Sequence, residues 1–540
     1  MIILQWIRWE VVLLLIISFY LARTIYRLYL HPLAKFPGPK STAATGLYEI
    51  YHDIIRGGKF LWKIEQMHRI YGPIVRITPR EIHIKDPYFY DEIYTSARKR
   101  NKDPNFVGMF GSPTSMIATV DHEHHRFRRG ILGSFFSKRS VTNISPLIKG
   151  KVQRLMERLL EFYQAESEVD LSAAFAALTA DIITFYSYGE CFDFLEDGAF
   201  HSDVRNAIME TEKLDHVSRL FPSVLTVIRH VPGWAFAIAK PATAVVAEIQ
   251  KRVMEKSAKA VRNAGSRKAE RTMFDALTDS KLPARERTLS RIHDEGMILL
   301  SGGTEPTANA LTIAVFHIGN RKEILTTMRA EIRESRIGDV KTVSLAQLEQ
   351  LPYMTAVVNE ALRLSHGLSI RSPRIAPTEV LTYKDYVIPA GVRCCPCRIG
   401  CILTRSLQTP VSMSSYFVHM DPSIFPDPTS FNPNRWIEAS ERGENLGRFI
   451  TAFGKGSRQC VGINLGYAEL YFTLASFATY FDYELHDTTE ANVRVARDRG
   501  VPFPETGHLM VKAKVVGVYA DPTGKEDSVL GDAVEGEAGG

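Results

Sequence analysis

Apolar positions along this chain recur mostly with a helical period, and the exceptions cluster near its start. Helical patterns are predicted at about 145–165, 170–190, 240–263, 288–319 and 320–335, with another from near Tyr353 and a last one over Gly466 to Phe477. Two short β-rich runs, Ile74-Val75-Arg76-Ile77 and Glu81-Ile82-His83-Ile84, flank Thr78-Pro79-Arg80, a hairpin signal. The fold class read from this pattern is mainly α with small β-sheets, the short β-rich runs lying near the N-terminus and the long helical patterns following them.

The beginning of the chain is patterned differently. Trp9 to Leu21 is apolar except for Glu10 and Ser18, and Ile2 to Ile7 extends the stretch. A membrane span needs roughly 20 apolar residues, a length reached here by tolerating Arg8 and Glu10 near the outer end. Arg23, Arg27 and Lys35 follow, then the hinge Phe36-Pro37-Gly38-Pro39. A basic flank after the span places the rest of the chain on the cytoplasmic side. A cleaved signal peptide would carry its positive residues before the apolar core and a small-residue site after it, and neither is clear. Residues 1–30 are therefore expected to be a single-pass anchor in the endoplasmic reticulum membrane, residues 31–515 one cytosolic domain, and 516–540 a disordered tail, rich in Gly, Asp and Glu.

Charge narrows the partners. Lys plus Arg number 66 against 60 Asp plus Glu, a net +6 that argues against nucleic acid as the default partner. A basic patch could still dock an acidic electron donor. No internal repeat or Gly/Ser linker divides the chain after the hinge.

The chemistry is concentrated near the C-terminal end, in Phe453-Gly454-Lys455-Gly456-Ser457-Arg458-Gln459-Cys460-Val461-Gly462. A thiolate is a soft, strongly donating iron ligand. Glycines at 454, 456 and 462 would let the backbone turn tightly against a flat macrocycle. A helix beginning just after Cys460 would lower the thiol pKa through its positive end, and Arg458 suits a haem propionate. The run fits F-x-x-G-x-R-x-C-x-G and resembles the haem-binding signature of the cytochrome P450 family. Glu360-Ala361-Leu362-Arg363 and the later Phe431-Asn432-Pro433-Asn434-Arg435-Trp436 look like that family's buried triad, here Glu360, Arg363 and Arg435. The resemblance covers roughly residues 30 to 515 and implies the P450 fold.

It also implies roles for single residues. Cys460 would be the axial ligand of haem b iron, and His125, Arg129, Arg374 and Arg458 would hold the propionates, with His125 where the family's W-x-x-x-R pattern has tryptophan. A metal site at Asp121-His122-Glu123-His124-His125 is the competing reading, opposed by the arginines crowding that run. Leu299-Leu300-Ser301-Gly302-Gly303-Thr304-Glu305-Pro306-Thr307 resembles the oxygen-binding segment, with Glu305 and Thr307 expected to handle protons. Proline stands where the family usually has threonine; it supplies no hydroxyl and should kink the helix.

The implied function is a membrane-anchored haem-thiolate monooxygenase inserting one oxygen atom of O2 into a lipophilic small molecule. Electrons would come from an NADPH-cytochrome P450 reductase through its flavins. Ala180-Asp181-Ile182-Ile183-Thr184 and Asp421-Pro422-Ser423-Ile424-Phe425-Pro426-Asp427-Pro428 look most like fungal secondary-metabolism members of the trichodiene oxygenase or pisatin demethylase kind, favouring a terpenoid or polyketide. A haem-thiolate isomerase or lyase needing no reductase is the rival that Pro306 motivates.

One segment departs from the family. Val392 to Gln408 separates Tyr386-Val387-Ile388-Pro389-Ala390-Gly391 from Thr409-Pro410-Val411-Ser412-Met413 and holds four of the six cysteines, 394, 395, 397 and 401. Its length and ends suit a short in-frame intron translated by mistake. A genuine surface loop and a zinc knuckle compete, the latter lacking paired C-x-x-C spacing, and an inactive chain disrupted by the insert is a further alternative. In a reducing cytosol these cysteines would stay thiols.

Overall fold

A computed structural model of the chain describes residues 9–223, 242–264, 272–390, 409–507 and 509–519. The helical patterns become helices at Ser145–Gln164, Leu171–Tyr188, Ala242–Arg262, Leu289–Asn320 and Lys322–Glu334. Capping side chains fix several of their starts: Asp170 accepts from Ser172 N and Ala173 N, and Thr288 accepts from Arg291 N. The Leu171–Tyr188 helix is apolar enough to pass for a membrane span, yet 83% of it is buried, packed along Leu289–Asn320 at the centre of the molecule. Gly303 allows that approach, since a Cβ there would stand 2.6 Å from Ile183 Cγ1.

The expected hairpin forms, with Ile74–Arg76 antiparallel to Ile82–Ile84. It is one edge of a five-stranded sheet completed by Val411–Ser412, Arg374–Ile375 and Asn101–Lys102, in that order. Tyr386–Ile388 pairs with Leu381–Tyr383. The insert Val392 to Gln408 lies outside the described residues, but both flanks are seated: Ile82 N donates to Pro410 O at 3.0 Å. A third sheet corrects the C-terminal boundary. The strand Lys512–Val518 runs past residue 515 between Glu168–Asp170 and Phe481–His486, and Tyr519 donates its hydroxyl to Asp482 at 2.8 Å. The folded domain therefore extends through Tyr519, and the expected tail from 520 lies outside the described residues.

The N-terminal helix, Trp9–Ile25, continues through Tyr26–Leu30, giving a 22-residue, predominantly apolar span with none of it buried. Its foot is tied to the domain. Arg27 donates to Ala44 O at 2.7 Å, and Arg76 donates to Arg27 O at 2.8 Å.

Five histidines away from the Cys460 loop are wholly or largely enclosed by the fold. His68 Nε2 meets His83 Nδ1 at 2.7 Å, His366 stacks on His419, and His317 stacks on Phe431. Burial first, and neighbouring cations second, lower their pKa values, to about 4 for His68, about 3 for His317 and His366, and well below the usual range for His83 and His419. Below the ordinary histidine value the unfolded chain takes up protons that the folded one refuses, so stability falls with pH. One unit below that value each histidine costs about 1.4 kcal/mol. Together they remove a large part of the roughly 5–15 kcal/mol typical of a folded domain. Urea titrations at neutral pH and one to two units lower are expected to show a steep loss of midpoint; an unchanged midpoint would refute this account.

Candidate functional site

The loop before Cys460 is shaped by two left-handed glycines. Gly454 has φ +61° and Gly456 φ +72°, and a Cβ on Gly456 would lie 2.3 Å from Tyr94 O, so glycine is required there. Gly462, at φ −86°, needs no such freedom; a Cβ there would only touch Phe136 and the Cys460 sulfur at 3.8 and 3.9 Å. Cys460 N donates to Phe453 O at 2.8 Å, which closes the loop, and the Ile463–Tyr480 helix follows. The thiol does not behave as its position at a helix start suggested. The Gly462 N–H and Arg129 pull its pKa down, but desolvation among protein groups is larger and raises it, although Cys460 itself is accessible.

Around this loop the structure gathers cations from four parts of the chain. His125 and Arg129 come from the His122–Gly133 helix, Arg374 from a strand of the five-stranded sheet, and Arg458 from the cysteine loop. Lys102, on the neighbouring strand, joins them and was missed from the sequence, where nothing separates it from the surrounding basic run. Burial first, and then the charges of Arg458, Lys102, Arg129 and Arg374, lower the His125 pKa to about 2, so it stands among these cations as a neutral ring. Arg458, lowered to about 9 by burial and Arg374, spends its guanidinium on backbone oxygens of Thr119 and Val120 at 2.6 and 2.7 Å. Arg129 donates to Gln459 O at 2.6 Å, Arg374 to Ser372 O and Pro373 O, and Lys102 to Ile117 O. Among the described residues no carboxylate pairs with Lys102, Arg129, Arg374 or Arg458. A cluster of buried cations without an anion is unfavourable unless a negatively charged group completes it. A thiol flanked by such a cluster fits haem: Cys460 would serve as the iron ligand and the cations would hold the two propionates.

The three histidines of the Asp121 run diverge, which removes the metal reading. His122 Nδ1 accepts from Arg100 N at 3.3 Å, His124 reaches Glu286 at 2.7 Å, and only His125 turns to the cation cluster.

Glu360, Arg363 and Arg435 are brought together as the spacing implied. Arg363 binds both Glu360 oxygens at 2.7 and 2.9 Å, and Arg435 Nε reaches Oε1 at 3.1 Å. Trp436 Nε1 adds a bond to Oε2 at 2.9 Å that sequence spacing did not foretell.

Glu305 and Thr307 are not brought together. The helix Leu289–Asn320 runs on through Pro306, which withholds the amide that would otherwise bond Gly302 O. Glu305 is buried against Arg205, with Arg205 Nε 3.4 Å from Oε1. Thr307 instead turns toward the Ile463–Tyr480 helix and Glu469, a buried carboxyl held well above its ordinary pKa by desolvation. Thr307 Oγ1 would be 3.6 Å from a Cβ on Gly466. Arg205 and Glu469 were both invisible to motif reading, because their partners are distant in sequence.

A family described as Cytochrome P450 matches residues 45–403 and 407–508. Conidiogenone synthase PchP450 of Penicillium rubens is 44% identical over 489 residues, 90% of this chain and 95% of the relative. Cytochrome P450 monooxygenase TRI4 of Fusarium sporotrichioides is 41% identical over 491 residues, 91% of each. Cytochrome P450 monooxygenase aflU of Aspergillus parasiticus is 40% identical over 497 residues, 92% of this chain and 96% of the relative.

Proposed function

Because the chain belongs to the cytochrome P450 family, we propose that it is a membrane-anchored haem-thiolate monooxygenase that oxygenates a lipophilic small molecule, a terpenoid or polyketide of fungal secondary metabolism. The observation that carries this reading is the Cys460 loop set among unpaired cations. Haem, when bound, supplies dioxygen activation. Cys460 would give its sulfur to the iron, and His125, Arg129, Arg374, Arg458 and Lys102 would hold and orient the propionates. Burial of these groups excludes water and strengthens each of these interactions. Glu305 lies on the central helix, where Arg205 Nε, 3.4 Å from its Oε1, holds it in place. The relatives' names, one of them a conidiogenone synthase, support the substrate class. The exposed helix at Trp9–Leu30 and its basic flank support an endoplasmic reticulum anchor and an NADPH-dependent reductase as electron donor.

One observation favours a second reading. With Pro306 in place, Thr307 turned to Glu469 and Glu305 paired with Arg205, no acid–alcohol pair is assembled, as suits a haem-thiolate isomerase or lyase that needs no reductase. Both readings expect a red-shifted Soret band when the dithionite-reduced chain takes up carbon monoxide. Only the monooxygenase consumes NADPH through the reductase with matching oxygenated product. A chain that binds no haem in this assay overturns both.

A further inference from the structure

The helix Ser202–Glu212 ends on a carboxyl whose Oε2 no group among the described residues completes. Glu212 Oε2 is fully covered, and among the described residues no group hydrogen-bonds it. Its electrostatic neighbours are Glu305 and Asp215, which repel it, and Arg205, which attracts it. Arg205, seven residues earlier and so on the same helix face, is already committed to Glu305 and to Leu509 O at 2.9 Å.

The surroundings place this carboxyl at a junction. The next helix, Asp215–Leu220, packs on the turn Val107–Phe110, and Asp215 Oδ2 would be 3.3 Å from a Cβ on Gly500. Four parts of the chain meet here: the Ser202–Glu212 helix, the central helix through Glu305, the Val107–Phe110 turn and the hairpin at Gly500. Desolvation first, and then the charges of Glu305 and Asp215, raise the Glu212 pKa well above the usual carboxylate range, which favours the acid form with its O–H donor. A buried polar group without a partner is destabilising, and an apolar residue would serve packing better.

We propose that Glu212 anchors the substrate, its carboxylic acid donating a hydrogen bond to an oxygen function (hydroxyl, carbonyl or ether) of an otherwise lipophilic ligand. The proposal rests on the monooxygenase reading for the identity of that ligand as substrate. It makes this chain a late-acting enzyme, one that takes a skeleton already carrying oxygen rather than a bare hydrocarbon. A reaction that introduces that first oxygen must precede it.

The test compares the haem-loaded full chain with Glu212→Leu and Glu212→Gln, using matched pairs of C15 and C20 terpenes, each a hydrocarbon and its alcohol. Binding is followed by the Soret shift and, independently of haem, by the ligand's effect on Tm. The wild type is expected to prefer the alcohols by at least about tenfold, Glu212→Gln to keep much of that preference, and Glu212→Leu to lose it. Without ligand, Glu212→Leu is expected to raise Tm, since it removes an uncompensated polar group. A wild type indifferent to the alcohol, a Leu variant that keeps the preference, a Leu variant with lowered Tm, or tighter binding of an amine analogue would each overturn the proposal. Failure of the haem reading shows separately, as a missing thiolate-type carbon monoxide band.

Discussion

Glu360→Ala is expected to leave little folded protein, with a loss of about 3–5 kcal/mol. The carboxylate of Glu360 is fully buried and accepts five hydrogen bonds: two from Arg363, one each from Arg435 and Trp436, and one from Asn432 N at 2.8 Å. Removing it strands two guanidiniums away from water. Arg363 is 0% exposed and cannot rotate outward, because its other donors hold His419 O, Pro428 O and Ser430 O. Those bonds tie the segment from His419 to Ser430 to the Pro352–Ser365 helix, and Thr451, just ahead of the cysteine loop, donates its N–H to His419 at 2.9 Å. The network therefore sets the position of the Cys460 loop through one shared histidine. Soluble yield and the urea midpoint measure the effect, and Glu360→Gln, which keeps acceptor and donor atoms but drops the charge, should fall between. A Glu360→Ala chain with wild-type midpoint would mean that the network is dispensable for stability.

What the sequence disclosed follows from how local each signal is. Period and capping are local, so the Ser145–Gln164 and Leu289–Asn320 helices begin and end within a residue or two of their predicted limits. Motifs with fixed spacing carried the triad and Cys460, because Glu360 and Arg363 share a helix face and the glycine turns at 454 and 456 are written into the loop. Lys102 and Trp436 belong to the same two sites but bond through tertiary contacts, so nothing in their own neighbourhoods marked them. Thr307 shows the opposite failure. Its place beside Glu305 in the sequence suggested a shared task, yet two positions apart on a helix the side chains diverge, and each found a partner on another element. The thiol pKa was misjudged for a related reason: the helix start is visible in sequence, whereas the surrounding protein groups whose desolvating effect outweighs it are not.

Cys460→Ser is expected to abolish the red-shifted carbon monoxide band and all turnover while moving the unfolding midpoint by no more than about 0.5 kcal/mol. The two side chains are nearly the same shape, and the loop is held by the backbone bond from Cys460 N to Phe453 O and by its glycines, none of which depends on sulfur. The hydroxyl is a poor donor to iron compared with a thiolate, so the loss is chemical rather than structural. This separates Cys460 from Glu360, whose removal should unfold the chain before any spectrum can be read. The thiol also sets a pH dependence. Desolvation holds its pKa above the ordinary value, and iron takes the deprotonated form, so haem uptake by the haem-free chain should accelerate as pH rises toward and through the thiol's titration. Arg129 lowers that pKa by its charge, and Arg129→Leu should therefore move the uptake profile to higher pH. A profile that stays in place would show that Arg129 serves the propionates alone.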